Sequence, residues 1–176
     1  ILLALVAWGI LAFNRLVRLR NQVRAGWSDI DVQLTRRHDL VPMLVEAVRA
    51  YAGHESAAFE RVATLRSAAM SASTPARLAT AEAALEHEVG RLMLLQEAYP
   101  QLKASENFLQ LQRDLVNVED HLQYARRFYN GAVRELRNGV QRFPDLLIAN
   151  AFGFRPAEFF EAAEGAESAP KIVMKQ

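Results

Sequence analysis

Residues Phe108 to Leu136 read FLQLQRDLVNVEDHLQYARRFYNGAVREL. Phe108, Leu111, Leu115, Val118, Leu122, Ala125, Tyr129, Ala132 and Leu136 follow one another at steps that alternate three and four. That is the apolar seam of a heptad repeat, and Gln, Arg, Asp, Glu and Asn fill most of the positions between. One stripe cannot bury itself, so a seam this long requires partner helices along its whole length. The rest of the chain supplies them, and the expected fold class is all-α. It consists of an N-terminal transmembrane helix that continues into an antiparallel up-and-down four-helix bundle of long helices.

The composition agrees. The chain has 176 residues, 51% of them hydrophobic, with only 8 Gly and 6 Pro, which favours long helices over a loop-rich fold. It has no cysteine, which excludes disulfides, thiolate metal sites and a Cys nucleophile. A formal net charge of +1 gives no global attraction to nucleic acid. Its distribution is more informative: nothing acidic precedes Asp29, while Arg15, Arg18, Arg20 and Arg24 crowd the stretch that follows the apolar start.

That start, residues 1–14, reads ILLALVAWGILAFN. As a helix its apolar run spans about 20 Å, short of the roughly 30 Å hydrocarbon core. It opens on Ile rather than Met, so further apolar residues are expected upstream. A core helix or the apolar region of a signal peptide would read similarly, but no small-residue cleavage site follows and four arginines do. The reading is a single-pass membrane anchor with Trp8, Phe13, Arg15, Arg18, Arg20 and Arg24 at the lipid interface. The positive-inside rule then puts the following domain in the cytoplasm.

Leu16, Leu19, Val23, Trp27, Ile30 and Leu34 carry the apolar stripe onward, so anchor and first bundle helix form one rod. The rod is expected to end near Arg36–Asp39, with Asp39 capping a second helix and Pro42 in its first turn, or to kink at Pro42. That second helix uses Val41, Leu44, Val48, Ala52, Phe59, Val62, Leu65 and Ala69, and fades into the loop at 71–75. Thr74 as N-cap and Pro75 at the first helical position start the third, whose stripe is Leu78, Ala81, Leu85, Val89, Leu92 and Leu95. Tyr99-Pro100 ends it. The fourth begins near 103–105 and stops before Phe143-Pro144, so the bundle occupies 15–143. Residues 144–162 form an apolar and aromatic segment too greasy to stay wet on an isolated monomer. Residues 163–176 read as a flexible tail.

The chemistry-bearing residues point away from catalysis. His54-Glu55, Glu86-His87-Glu88 and His121 beside Glu119 and Asp120 match neither H-E-x-x-H nor the paired E-x-x-H of di-iron bundles. No metal, cofactor or catalytic residue is therefore assigned. Phosphate-binding loops and the G-x-S-x-G context are absent from the sequence, and the scattered basic residues give no nucleic-acid stripe. Polar residues beside the seams read either as solvated surface charge or as a network between the first and fourth helices. The network comprises Asp29, Asp31, Arg36, Asn107, Glu119, Arg126 and Asn130, with Arg37, Asp39 and Arg127 as neighbours, and fixes register. On that reading Asp31→Ala costs more stability than Glu60→Ala.

The runs Asp29-Ile30-Asp31-Val32-Gln33-Leu34, Arg36-Arg37-His38-Asp39-Leu40 and Tyr99 through Phe108, in that order, resemble the LemA family of bacterial membrane-anchored proteins. The similarity extends from Phe13 to Phe160. Departures are mild: Phe13 and Phe128 stand where the family often has Tyr, and Asp145-Leu146 where it has Ser-Asn. The resemblance implies a transmembrane helix, a cytoplasmic helical bundle and no established catalytic residue. Genes of the family often neighbour those of membrane proteins and M48 metalloproteases, and one branch is linked to magnetosome membranes.

Two functions follow as expectations. The first is a scaffold in the bacterial inner membrane that self-associates and organises lipids or membrane proteins, with Phe152, Phe154, Phe159 and Phe160 forming the contact between copies. The second is an adaptor that presents a partner such as a membrane protease. Neither requires nucleic acid or a cofactor.

Overall fold

The computed structural model describes residues 2–161, and every regular element among them is helical. Helix α1 spans Leu2–Arg49, α2 Ser56–Met70 and α3 Pro75–Leu94. A 3₁₀ turn at Leu95–Glu97 and the short α4, Pro100–Lys103, lead into α5, Glu106–Gln141, and α6 covers Asp145–Ala151. The expected flexible tail at 163–176 lies outside the described residues.

The longest element departs from its expected boundaries. α1 runs unbroken for 48 residues, about 72 Å at the α-helical rise, and passes straight through Pro42. Proline has no N–H, so it strips the carbonyl four residues earlier, that of His38, of its helical donor. The Arg66 side chain of α2 replaces it, Nε donating to the His38 carbonyl at 2.8 Å. The helix survives because another element satisfies the orphaned acceptor. The break falls instead at residues 50–55, around Gly53, so Val41, Leu44 and Val48 belong to α1 rather than α2.

Other boundaries follow local chemistry. Thr74 Oγ1 accepts from the Arg77 N–H at 3.3 Å and Pro75 opens α3, while Ser105 Oγ accepts from the Phe108 N–H at 3.4 Å to open α5.

α1 and α5 form the long axis and run in opposite directions. Arg36 reaches Asn117, Gly26 lies against Phe128 and Tyr129, and Leu19 lies against Gly139. All nine seam residues of α5 are buried. Two cores lie in series along this pair. In one, Val41, Leu44 and Val48 of α1 meet Phe108, Leu111 and Leu115 of α5 beneath Phe59 and Val62 of α2 and Leu85, Val89 and Leu92 of α3. In the other, Leu16, Val23, Ile30 and Leu34 meet Leu122, Tyr129, Val133, Leu136 and Val140, closed by Ala149, Phe154 and Phe160. After α6, Gly153 takes φ +68°, a left-handed conformation natural to glycine. Residues 154–161 then run back along the α1–α5 pair.

Candidate functional site

Between the two cores lies a layer of charge. Leu34, Arg37, His38 and Val41 follow one another at three, one and three residues, so all face the interior of the same helix. Arg37 Nη1 donates to Glu82 Oε2 at 3.1 Å, and His38 Nε2 meets Glu82 Oε1 at 2.6 Å. Arg37 also pairs with Glu119 and lies 3.9 Å from Glu86, and Arg126 approaches Glu119 at 3.9 Å. The Glu82 side chain is 0% exposed and that of Arg37 5%. A carboxylate so completely dehydrated is tolerable only because both oxygens are taken by cationic or N–H donors.

Arg126 borders the layer. Burial and, secondarily, the charge of Arg37 lower its pKa below the ordinary guanidinium range. Its guanidinium lies 5.2 Å from the centre of the buried Phe160 ring. Beside it opens a groove of about 880 Å³ between α3 and α5, lined by Glu86, His87, Arg91, Gln123 and Arg126 among others. Among the described residues no three His, Asp or Glu side chains are placed to share a metal ion. The groove offers charges of both signs.

The network expected from the sequence is redistributed. Glu119 and Arg126 do join α5 to α1, but through Arg37 rather than Arg36. Arg36 is exposed, with Asn117 Oδ1 at 3.4 Å and Asp114 at 4.0 Å. Asp29, Asp31 and Asn107 point to solvent, and so do Asp39 and Arg127. Helical phase explains this: Asp29 and Asp31 flank the buried Ile30, so each is turned about 100° away from the interface. Asn130 ties down the returning C-terminal segment, its amide donating to the Phe160 carbonyl at 3.1 Å and accepting from the Phe160 N–H at 2.8 Å.

The sequence alone does not single out His38 or Glu82, which the fold brings together in the buried layer. A signal existed for Glu82: Leu78, Glu82, Leu85, Val89 and Leu92 keep the same three-and-four spacing as the stripe through Ala81. Ala81 is only half-buried, whereas Glu82 is fully buried.

At the far end of the long axis, α1 is bare. Leu2, Leu3, Leu5, Val6, Ile10 and Leu11 are all exposed, Leu3 to 86%. By length and composition, the helix that carries this stretch, Leu2–Arg49, is apolar enough near its N-terminus to cross a membrane. Trp8 is half-buried, and Arg15, Arg18, Arg20 and Arg24 are exposed along the next turns. Arg15 Nη1 donates to Asp145 Oδ2 at 3.1 Å, and the Arg20 guanidinium sits 5.1 Å from the Phe154 ring centre.

The C-terminal aromatics pack on their own chain. Phe13 meets Phe152 and Phe154 edge-on, with ring centres 4.9 and 5.6 Å apart, and Trp27 lies 6.2 Å from Phe160. Arg137 covers Phe159 at 4.6 Å, and the Tyr129 hydroxyl donates to the Glu158 carbonyl at 2.8 Å. Phe154 and Phe160 are buried and Phe159 half-buried, leaving Phe152 as the exposed member of the four. Phe154, Phe159 and Phe160 are thus covered within one copy, because Gly153 turns the segment back across the α1–α5 seam, while Phe143 and Phe152 stay exposed.

A sequence model described as the LemA family matches residues 26–173. Among characterised proteins, the chain is 22% identical over 184 residues to magnetosome proteins MamQ 1 and MamQ 2 of Paramagnetospirillum magneticum, covering 90% of this chain and 68% of each of those proteins. Magnetosome protein MamQ of Magnetospirillum gryphiswaldense is 20% identical over 185 residues, with the same shares covered.

Proposed function

The chain belongs to the LemA family, and we propose that it is a membrane-anchored scaffold whose helical domain self-associates and organises the lipids or membrane proteins around it. The observation that carries this reading is the contrast within α1. One continuous helix is bare and apolar over its first turns and is the centre of two packed cores over the rest. A rod so built transmits the position of the membrane to the domain without a flexible joint. Residues 2–14 enter the bilayer of a bacterial inner membrane as part of the anchor, and Arg15, Arg18, Arg20 and Arg24 meet anionic headgroups on the cytoplasmic side. In the cytoplasm α1, α2, α3 and α5 act as an antiparallel four-helix bundle, and its role is non-enzymatic.

The surface for a second copy shifts with the aromatics. Val32, Tyr124 and Phe128 stand exposed at 59%, 69% and 52% around a depression of about 350 Å³ on α1 and α5. This face, rather than Phe154, Phe159 and Phe160, is the contact between copies. The likeness to magnetosome proteins is in keeping with an organising role and carries no residue across.

The test is the mass of the full chain in nanodiscs by light scattering, with micrographs of the same sample. Scaffolding predicts a large regular assembly, reduced to single copies by Tyr124→Ser with Phe128→Ser while helicity is kept. A monomeric wild type overturns self-association. It leaves the second reading, an adaptor for a membrane protease or similar partner, which the open mixed-charge groove between α3 and α5 favours.

A further inference from the structure

α6 lies beside the part of α1 assigned to the membrane. Asp145 pairs with Arg15, Ile148 Cδ1 comes within 3.9 Å of where a side chain on Gly9 would begin, and the Phe152 ring meets that of Phe13. From Arg15 to Gly9 is six residues, about 9 Å along the helix. Val6, Gly9, Ile10, Phe13, Ile148 and Phe152 line one shared apolar hollow between the two helices. On the outer side, Phe143, Leu147 and Phe152 are exposed at 76%, 56% and 63%.

We propose that α6 and its flanking phenylalanines form a second membrane contact, a foot lying in the headgroup–acyl boundary beside the spanning helix. The inference rests on the membrane-anchor reading. With Arg15 at the headgroups, a helix packed against residues 9–15 is immersed by at most about 9 Å, within the 5–10 Å typical of interfacial helices. The exposed apolar surface of α6 is continuous with that of the anchor, so one bilayer covers both. Charge placement fits the same depth. Asp145, the acidic residue of α6, is paired to Arg15, while Arg142 and Arg155 flank the segment, exposed to meet phosphate. Two contacts side by side fix the tilt and rotation of the rod, which a single spanning helix leaves free.

Because the chain has no cysteine, single nitroxide labels can be placed at will. Full chains carrying Leu147→Cys, Leu3→Cys or, as the solvent-facing control on α2, Glu60→Cys are reconstituted into vesicles of phosphatidylcholine and phosphatidylglycerol. Collision of each label with oxygen and with a water-soluble nickel chelate is then measured. The foot predicts that the label at 147 resembles that at 3, with an oxygen-to-nickel ratio severalfold above the label at 60. A lipid-like label at 3 with a water-like label at 147 overturns the foot and leaves the anchor standing. A label at 147 shielded from both reagents also overturns it, assigning that surface to a second copy. A water-like label at 3 overturns the anchor, and the foot with it.

Discussion

The continuity of α1 through Pro42 depends on a side chain from another helix, and that dependence can be measured. Arg66→Ala removes the donor at 2.8 Å from the His38 carbonyl and leaves that acceptor, already deprived of its helical partner by Pro42, without a bond. A hydrogen bond from a charged donor contributes about 1.5–3 kcal/mol. For a chain of this size about 1 kcal/mol shifts the melting midpoint by roughly 2–4 °C. Arg66→Ala should therefore lower the melting temperature of the full chain in detergent, followed by far-ultraviolet circular dichroism, by about 3–12 °C. Pro42→Ala restores an N–H at position 42 that can bond the same carbonyl. In that background Arg66→Ala should cost less than half as much, and the double-mutant cycle should give a coupling of about 1 kcal/mol or more. An equal loss in both backgrounds would show that Arg66 contributes through something other than the orphaned carbonyl, and the explanation of the unbroken helix would be wrong.

Three further outcomes follow from the packing. Glu82→Ala strands Arg37 and His38 in the layer between the cores and should cost about 3–5 kcal/mol, whereas Asp31→Ala, on the exposed face, should match Glu60→Ala within about 0.5 kcal/mol; urea titrations of the three variants that give one common midpoint would refute the buried layer. Gly90→Ala, with open space around the new methyl, should raise stability by up to about 1 kcal/mol through helix propensity, while Gly26→Ala meets the Tyr129 backbone and the Phe128 ring at 3.0 Å and should gain nothing or lose about 1–2 kcal/mol; thermal melts that rank the two in the reverse order would sink the close-approach reading. Burial raises the Tyr129 pKa above its ordinary 10.0, so as pH climbs past that value the unfolded chain releases this proton while the folded chain keeps it, and stability falls. Tyr129→Phe should flatten that alkaline decline, at a cost of about 1 kcal/mol near neutrality for the lost bond to the Glu158 carbonyl; melts against pH with identical slopes for both proteins would count against it.

The layer of charge has a structural logic of its own. A register shift would pull Glu82 away from Arg37 and His38 and leave dehydrated charges unpaired. The cost of that error exceeds any gain from the pair itself, so the layer specifies alignment more than it adds stability. Glu88, outside the layer, offers the contrast. Hydrogen bonds from Arg61 and Arg91 hold its pKa below the ordinary 4.5, and its pairing joins α2 to α3 at the surface.

By itself, the sequence determined the helical class, the α5 seam, the start of α3 at Thr74-Pro75 and the apolar opening of α1 with its arginines. Each of these is local chemistry or a periodicity: the seam residues are buried, Thr74 caps α3, and the apolar opening stands bare on α1. Tertiary structure decided the rest. Pro42 looked like a helix boundary because the residue that makes it harmless, Arg66, is distant in sequence and belongs to another element. Asp29 and Asp31 looked like network members because charge beside a seam is visible in one dimension, whereas the phase that turns it toward solvent is set by the partner helix. His38 and Glu82 became a pair only when α3 was laid across α1. The C-terminal aromatics showed that they had to be covered and not by what. A glycine in a left-handed conformation turned them back onto their own chain, so the surface left for lipid and for other copies is a product of the fold.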